Sequence, residues 1–377
     1  MSTRRRMRLL MTADAVGGVW QYAIDLARAF AANGVETVLA VLGPQPESDQ
    51  IAAAKAIPRL RLMPLALPLD WLADSPDDIE EAGRVLARLA REVTADLVHL
   101  NSPALAAPGR FSVPVVAVCH SCVATWWETV RSGPLPSDFV WRTKLLARGY
   151  QAADALVAPT AAFAASTARV YGLTRPPVVI WNGRSAPSPQ APHPAAPAQP
   201  FVFTAGRLWD EGKNAAMLDA AAARLSAPVF AAGPVEGPHG GRINLASIHP
   251  LGLLSDDEIR RWLAASPIFV SAARYEPFGL AVLEAAQAGC PLVLSDTLTF
   301  RELWEGAAEF VPPDDPGAIA GAIEALLSDP QRRERLAHAV RLRSRCYTVE
   351  AAAAKLLHLY RTLSPSLACE LSREAAA

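Results

Sequence analysis

Short apolar runs alternate along this chain with longer segments in which apolar residues recur every three or four positions, the signatures of strands and amphipathic helices in turn. Met7–Thr12 predicts a strand and Val19–Asn33 a helix, closed by Gly34 where a left-handed turn is needed. Further strands are predicted at Glu36–Leu42, Leu60–Met63, Leu97–Leu100, Val113–Val118, Ala155–Ala158 and Val178–Trp181. The runs VPVVAV and PVVIW are apolar on both faces, as parallel strands covered by helices must be. The alternation stops at Arg184–Pro200, where six prolines in seventeen residues exclude a helix or an inner strand. It resumes with strands at Phe201–Ala205, Pro228–Ala232, Ile268–Ala272, Leu292–Leu294 and Glu309–Val311, and closes with a helix from Val349 to Arg361 and beyond. The pattern predicts an α/β protein with two Rossmann-like open-sheet domains. The expected division is 1–183, a proline-rich linker 184–200, a second domain 201–345, and a helical segment 346–377 that packs back on the first domain. A cleft between two such domains is the default place for a ligand.

With 377 residues, 51% hydrophobic and 19% charged, the chain can build two cores. Its net charge of −1 gives no general attraction to nucleic acid, and no nucleic-acid partner is expected. No apolar run approaches the roughly 18 residues of a membrane span. Leu9-Leu10-Met11, behind the first arginines, is too short for a signal peptide. Five cysteines, an odd number, then point to a reducing, cytoplasmic setting. Cys119 and Cys122 form a C-x-x-C without the following His of a haem site or the two further ligands of a zinc site, so no metal is expected there. The basic groups Arg4, Arg5, Arg6, Arg8 and Arg332–Arg345 predict solvated surface rather than binding sites. Val140–Arg148, with Arg142, Lys144 and Arg148, is the segment suited to peripheral contact with a membrane, although its charges are few and a solvated helix is the commoner use.

Candidate chemistry gathers where strands end. In RYEPFGLAVLEAAQAGCPLVLSD, Pro277 disfavours helical geometry at Glu276 and places that carboxylate on a strand-to-helix loop. The helix is expected to begin around Phe278–Gly279, aiming the N–H groups of Gly279 and Leu280 into the same loop. Glu284 is the only charged residue from Gly279 to Pro291, in a helix that predicts cover on most sides. Such a charge needs a strong partner, either a backbone group or a distant Arg, or else a pair of ligand hydroxyls. FTAGRLWDEGKN nearly imitates a phosphate-binding P-loop, but five residues separate Gly206 from Gly212, and Asn214 stands where Ser or Thr would hold Mg²⁺. What remains is Arg207 at a strand end and Lys213 on the next loop or first helical turn: two cations suited to a diphosphate, or surface charges beside Asp210 and Glu211. Gly17 and Gly18 allow close backbone approach to a ligand, while His120 directly follows a strand. Trp126-Trp127 could stack on a sugar, with core packing the commoner use. No D-x-D triplet is present to hold a metal on a nucleotide sugar.

Taken in order, the GGVWQYAIDLARAFAANG opening, the strand with His120, VVIWNGR, AGRLWDEGKN, HPLGLL, YEPFGLAVLEA and FRELWEGAAEFVPPDD resemble the family-4 retaining glycosyltransferases of GT-B architecture. The resemblance covers nearly the whole chain, and the two glutamates separated by seven residues are its most specific motif. It implies that Arg207 and Lys213 hold the diphosphate of a nucleotide-sugar donor, that Glu284 accepts the ribose hydroxyls, and that Glu276, beside the Gly279 and Leu280 amides, contacts the transferred sugar. His120 would hydrogen-bond the donor sugar from the opposite domain, and Gly17–Gly18 would lie near the phosphates or acceptor. It further implies a metal-independent reaction without a cofactor, a UDP- or GDP-sugar donor, and a glycan, lipid-linked or small hydroxyl acceptor. Many relatives carry Gly-Gly before the glutamate of the next loop, where this chain has Thr299-Phe300-Arg301 before Glu302, which leaves the sugar open. A nucleotide-sugar-binding regulatory protein and a GT-B sugar-nucleotide epimerase are the rival functions.

Overall fold

Seven short apolar segments in the first half of the chain pair side by side, all parallel: Arg8–Asp14 (β1), Glu36–Leu42 (β2), Leu60–Pro64 (β3), Leu97–Leu100 (β4), Val115–Val118 (β5), Ala155–Ala158 (β6) and Val178–Val179 (β7). Their order, β3-β2-β1-β4-β5-β6-β7, reverses between β1 and β4. The computed structural model describes residues 6–185, 191–238 and 240–364. Arg4 and Arg5, the linker residues 186–190 and the tail beyond residue 364 lie outside the described residues. A second parallel sheet is built from Val202–Ala205 (β8), Val229–Ala232 (β9), Ile248–Gly252 (β10), Ile268–Ser271 (β11), Leu292–Ser295 (β12) and Glu309–Val311 (β13), in the order β10-β9-β8-β11-β12-β13. Its direction of winding reverses between β8 and β11. In open α/β sheets the carboxyl ends at such a reversal are where ligands bind.

The chain divides into two compact units. One comprises Met1–Trp127, Gly133–Gly183 and Val349–Ala377; the other Glu128–Ser132 and Arg184–Thr348. In the first, the helix Gly18–Ala32 buries Trp20, Ala23, Ile24, Ala27 and Phe30 on β1 and β2, and the closing helix Val349–Leu363 adds Leu356, Leu357 and Tyr360 to the same core. The closing helix therefore belongs with the N-terminal sheet, and the chain changes unit at Thr348/Val349 rather than at 345/346. In the second unit, Val202, Ala231, Ile268, Val270 and Val293 meet Leu218, Ile319, Ile323 and Leu326 from flanking helices.

The proline-rich segment is not a free tether where it is described. Arg184 already belongs to the second unit, and His193 stacks on Trp262 with its N–H on the Arg261 carbonyl. The arginines of the helix Pro330–Ser344 are largely occupied by the ends of other helices. Arg333 donates to the Leu326 and Leu327 carbonyls, Arg341 to Ala288, and Arg343 to Glu302 and Leu303. Cations at helix carboxyl ends satisfy carbonyls that the helix itself leaves unbonded. In the helix Ser137–Ala152, Arg142 donates to the Asp70 and Ala73 carbonyls and Arg148 pairs with Glu80, so of that segment's three cations only Lys144 is exposed. Among the described residues no helix is long and apolar enough to cross a membrane.

Candidate active site

The loops after β8 and β11 are stitched together by backbone. Arg274 and Tyr275 both donate their N–H to the Gly212 carbonyl, at 2.9 and 3.2 Å. Asn214, at φ +57°, donates from Nδ2 to the carbonyls of Ala272 and Pro313 at 3.0 and 2.8 Å, tying the β8 loop to the ends of β11 and β13. The residue that disqualifies a P-loop is thus the fastener of this one. Asp210, buried, accepts from the Gly212 N–H and pairs with Arg207 at 3.2 Å, which holds the guanidinium at the rim with most of its surface free. After β9, Gly233 takes φ +129°, and a Cβ there would come 1.8 Å from the Gly206 carbonyl oxygen; the two strand ends meet so closely that only glycine fits.

Lys213 closes a single 3₁₀ turn, Glu211–Lys213, before the helix Ala215–Ala222, and its Nζ lies 2.5 Å from Glu276 Oε2. Both side chains are largely enclosed, 23% and 14% exposed. Glu276 stands on the loop after β11, and the helix beyond it starts at Leu280 with Gly279 as its N-cap at φ +89°, slightly later than the sequence predicts. Its first N–H groups have no partner within the helix and open towards that loop.

Glu284 sits on the less covered side of its helix. Along the helix Leu280–Ala288, Val282, Leu283, Ala285 and Ala286 are buried, but Ala281, Glu284, Gln287 and Ala288 form a less covered stripe, and Glu284 is 23% exposed. It also has a protein partner: Arg184 Nε lies 2.9 Å from Glu284 Oε1, though its N–H is not aligned on that oxygen. Sequence reasoning left open whether a distant Arg or a ligand would satisfy this carboxylate, and did not single out Arg184. NGR does place an arginine where the apolar strand PVVIW has just ended, but nothing local names its partner.

In place of the Gly-Gly pair after β12, Thr297 caps a helix, Leu298–Trp304, with its hydroxyl. Phe300 is fully buried and its ring sits where a Cβ on Gly279 would be 3.3 Å away. Arg301 is clamped by Asp296 at 2.7 and 2.9 Å and by Glu305.

His120, Gly17 and Gly18 belong to the other unit, His120 and Gly17 on the loops following β5 and β1 and Gly18 at the start of the next helix. Gly17, at φ +92°, is the N-cap of the helix Gly18–Ala32, and Tyr22 in that helix packs edge-on against His120 at 4.6 Å. Asn101, after β4, donates from Nδ2 to the Thr12 carbonyl at 2.6 Å, so its Oδ1 is an acceptor. Two imidazole nitrogens point at that oxygen, His120 Nε2 at 2.8 Å and His99 Nε2 at 3.2 Å. Both must carry their proton there. His99 Nδ1 then accepts from the Tyr360 hydroxyl at 2.5 Å, and His120 keeps Nδ1 as an acceptor. Burial pushes His99 down to about 4; loss of hydration and then the facing His99 push His120 down to about 3. Both rings are therefore neutral near pH 7. His99, Asn101, Tyr22 and Tyr360 were missed from sequence, although a His inside the buried run LVHL signals a polar network. Cys119 and Cys122 are buried free thiols, on Tyr150 and Thr125 respectively, and no group of three or more metal-ligating side chains occurs among the described residues.

The family model Glycosyltransferase Family 4 matches residues 16–185, and Glycosyl transferases group 1 matches residues 242–343. A GDP-mannose-dependent alpha-(1-6)-phosphatidylinositol dimannoside mannosyltransferase of Mycobacterium tuberculosis is 30% identical over 49% of this chain, which spans only half of that relative's length. A D-inositol 3-phosphate glycosyltransferase of Xylanimonas cellulosilytica is 28% identical over 93% of this chain and 92% of its own. Among solved structures, Anabaena HepE in complex with UDP and glucose superposes with a TM-score of 0.73 over 95% of this chain and all of its own, at 17% identity, a likeness of fold. With one glycosyltransferase model on each half and this fold around both, the chain belongs to the family-4 glycosyltransferases of GT-B architecture.

Proposed function

We propose that this chain is a nucleotide-sugar-dependent glycosyltransferase that retains anomeric configuration and works without metal or cofactor. The observation that carries the proposal is the placement of Arg207, Lys213 and Glu276 on the two stitched loops flanking the β8/β11 reversal. Cleaving a sugar–phosphate bond leaves negative charge on a diphosphate. Fixed cations at that point stabilise it by several kcal/mol, on the order of 3 per well-placed donor, without any proton or metal. In the free protein Lys213 and Glu276 compensate each other. When the donor binds, its diphosphate takes Lys213 and hydroxyls of the transferred sugar take Glu276, so neither charge is left bare. Glu276 positions the sugar and is not a nucleophile; the acceptor attacks from the leaving-group side and its proton passes to the departing phosphate. Glu284 receives the ribose diol, with the Gly279 and Leu280 amides beside the diphosphate or sugar. In the other unit His120 Nδ1 is an acceptor for a sugar hydroxyl, and Gly17 and Gly18 allow close approach of phosphate or acceptor.

The relatives support a UDP- or GDP-sugar: one is named for GDP-mannose, and HepE was solved with UDP and glucose. Their names also support a glycan, lipid-linked or small hydroxyl acceptor. The test is release of nucleoside diphosphate from UDP- and GDP-hexoses in EDTA, followed by NMR of the anomeric centre in the first glycoside formed. Release in chelator with retained configuration is expected. An inverted product removes the retaining mechanism, and abolition by EDTA with rescue by Mg²⁺ or Mn²⁺ removes metal independence.

A further inference from the structure

Arg184 is the first residue after the chain leaves the N-terminal unit, and it is locked on every side. Its backbone N–H donates to the Tyr347 carbonyl at 3.3 Å, its carbonyl accepts from Gln287 Nε2 at 3.2 Å, and it forms a parallel bridge with Thr348, where the chain returns. Its guanidinium, 6% exposed, faces two carboxylates: Glu284 at 2.9 Å and the more exposed Asp256 at 3.5 Å. Asp256 has a second cation, Arg260 at 3.7 Å. Glu284 and Gln287, one turn apart on the same stripe, thus grip the side chain and the backbone of one residue.

We propose that Arg184 is a positioning residue that holds Glu284 for the ribose of the donor. The inference rests on the ribose role proposed above for Glu284 and adds the residue that makes it effective. A glutamate side chain loses rotamer freedom when it binds a ligand, which weakens binding unless another contact has already fixed it. Arg184 supplies that contact at Oε1, and an ionised carboxylate has about four acceptor positions over its two oxygens, more than one cation uses. It also compensates a charge set among apolar neighbours, so the carboxylate is not penalised for its partial burial. Because the guanidinium is itself enclosed and tied by its backbone to residues 287, 347 and 348, it does not follow the ligand and acts as a fixed reference.

The experiment is calorimetry with UDP and GDP and with their 2′,3′-dideoxy forms, on wild type, Arg184→Gln, Arg184→Lys and Glu284→Gln, with melting temperatures recorded. Arg184→Gln is expected to weaken the ribonucleotide about tenfold while leaving the dideoxy form within about twofold, and Arg184→Lys to recover part of the loss. Should Arg184→Gln not fold, the Lys variant decides by the same ratio. Equal weakening of both nucleotides, or no weakening of either, overturns the positioning role and leaves Arg184 a structural ion pair. A failure of the underlying reading shows differently: Glu284→Gln then weakens the ribonucleotide and its dideoxy form equally, or weakens neither, or wild type binds neither nucleotide.

Discussion

Lys213 Nζ lies 2.5 Å from Glu276 Oε2, so the cation assigned to a diphosphate and the carboxylate assigned to a sugar face each other across two loops. The pair has a measurable consequence. On the proposed function a bound diphosphate competes with Glu276 for Lys213, and removing Glu276 removes the competitor.

Lys213→Ala and Arg207→Ala should each lower kcat on the order of 10²-fold with far-ultraviolet circular dichroism unchanged. Glu276→Gln should also lower kcat, yet bind the free nucleoside diphosphate a few-fold more tightly than wild type. Steady-state kinetics with calorimetry of the product separates the two effects. Wild-type turnover in Lys213→Ala, or weaker product binding in Glu276→Gln, contradicts the exchange of partners.

Acid should destabilise the N-terminal unit through His99. Its folded pKa, pushed down to about 4 by burial, is below the roughly 6.5 of an exposed imidazole, so the unfolded chain binds the extra proton between those values. Stability is therefore unaffected above about pH 6.5 and falls as pH drops from there towards 4, by up to ~3 kcal/mol for a fully buried ring. Urea unfolding at pH 7.5 and 4.5 reads this together with the share of His120, which burial pushes down to about 3, and His99→Gln should remove about half of the difference. An unchanged slope in that variant would place the acid sensitivity elsewhere.

Arg343 donates to the Glu302 and Leu303 carbonyls at 2.9 and 2.7 Å, at the end of the helix Leu298–Trp304. Arg343→Ala should cost about 1.5–3 kcal/mol of stability, the range for hydrogen bonds from a charged donor, while changing nucleotide affinity little. Denaturant titration and binding measured on one preparation check both halves.

The helix Ser137–Ala152 should not bind anionic vesicles at physiological salt. Arg142 and Arg148 are engaged by the protein, and a single exposed Lys144 supplies only about 1 kcal/mol of attraction. Co-sedimentation with phosphatidylserine vesicles, compared with Lys144→Glu, tests it; salt-dependent binding lost in that variant contradicts it.

Much of the fold was legible because parallel strands buried on both faces leave an unbroken apolar run, as in Leu97–Leu100 and Ala155–Ala158, whose observed limits coincide with the prediction. β10 escaped because an edge strand has no such obligation: Ile248–Gly252 carries His249 and Pro250 and is largely exposed. Arg207, Lys213 and Glu276 are singled out in the sequence by their position after strands, and the topology places those strand ends at one reversal. Pairing was not legible. That Lys213 meets Glu276, that Arg184 meets Glu284 100 residues away, or that Tyr360 reaches His99 depends on loop geometry and tertiary packing, for which local sequence carries no signal.

The most direct test of the central claim is a thermal-shift panel of UDP-, GDP- and ADP-sugars on wild type and on Arg207→Ala/Lys213→Ala. A ligand at about a hundred times its Kd stabilises the native state by about 2.7 kcal/mol, a rise of several degrees for a chain of this size. One nucleotide class is predicted to raise the wild-type melting temperature by that amount in the presence of EDTA and to lose most of the effect in the double variant. No shift with any nucleotide sugar at millimolar concentration, or an equal shift in the double variant, would contradict it.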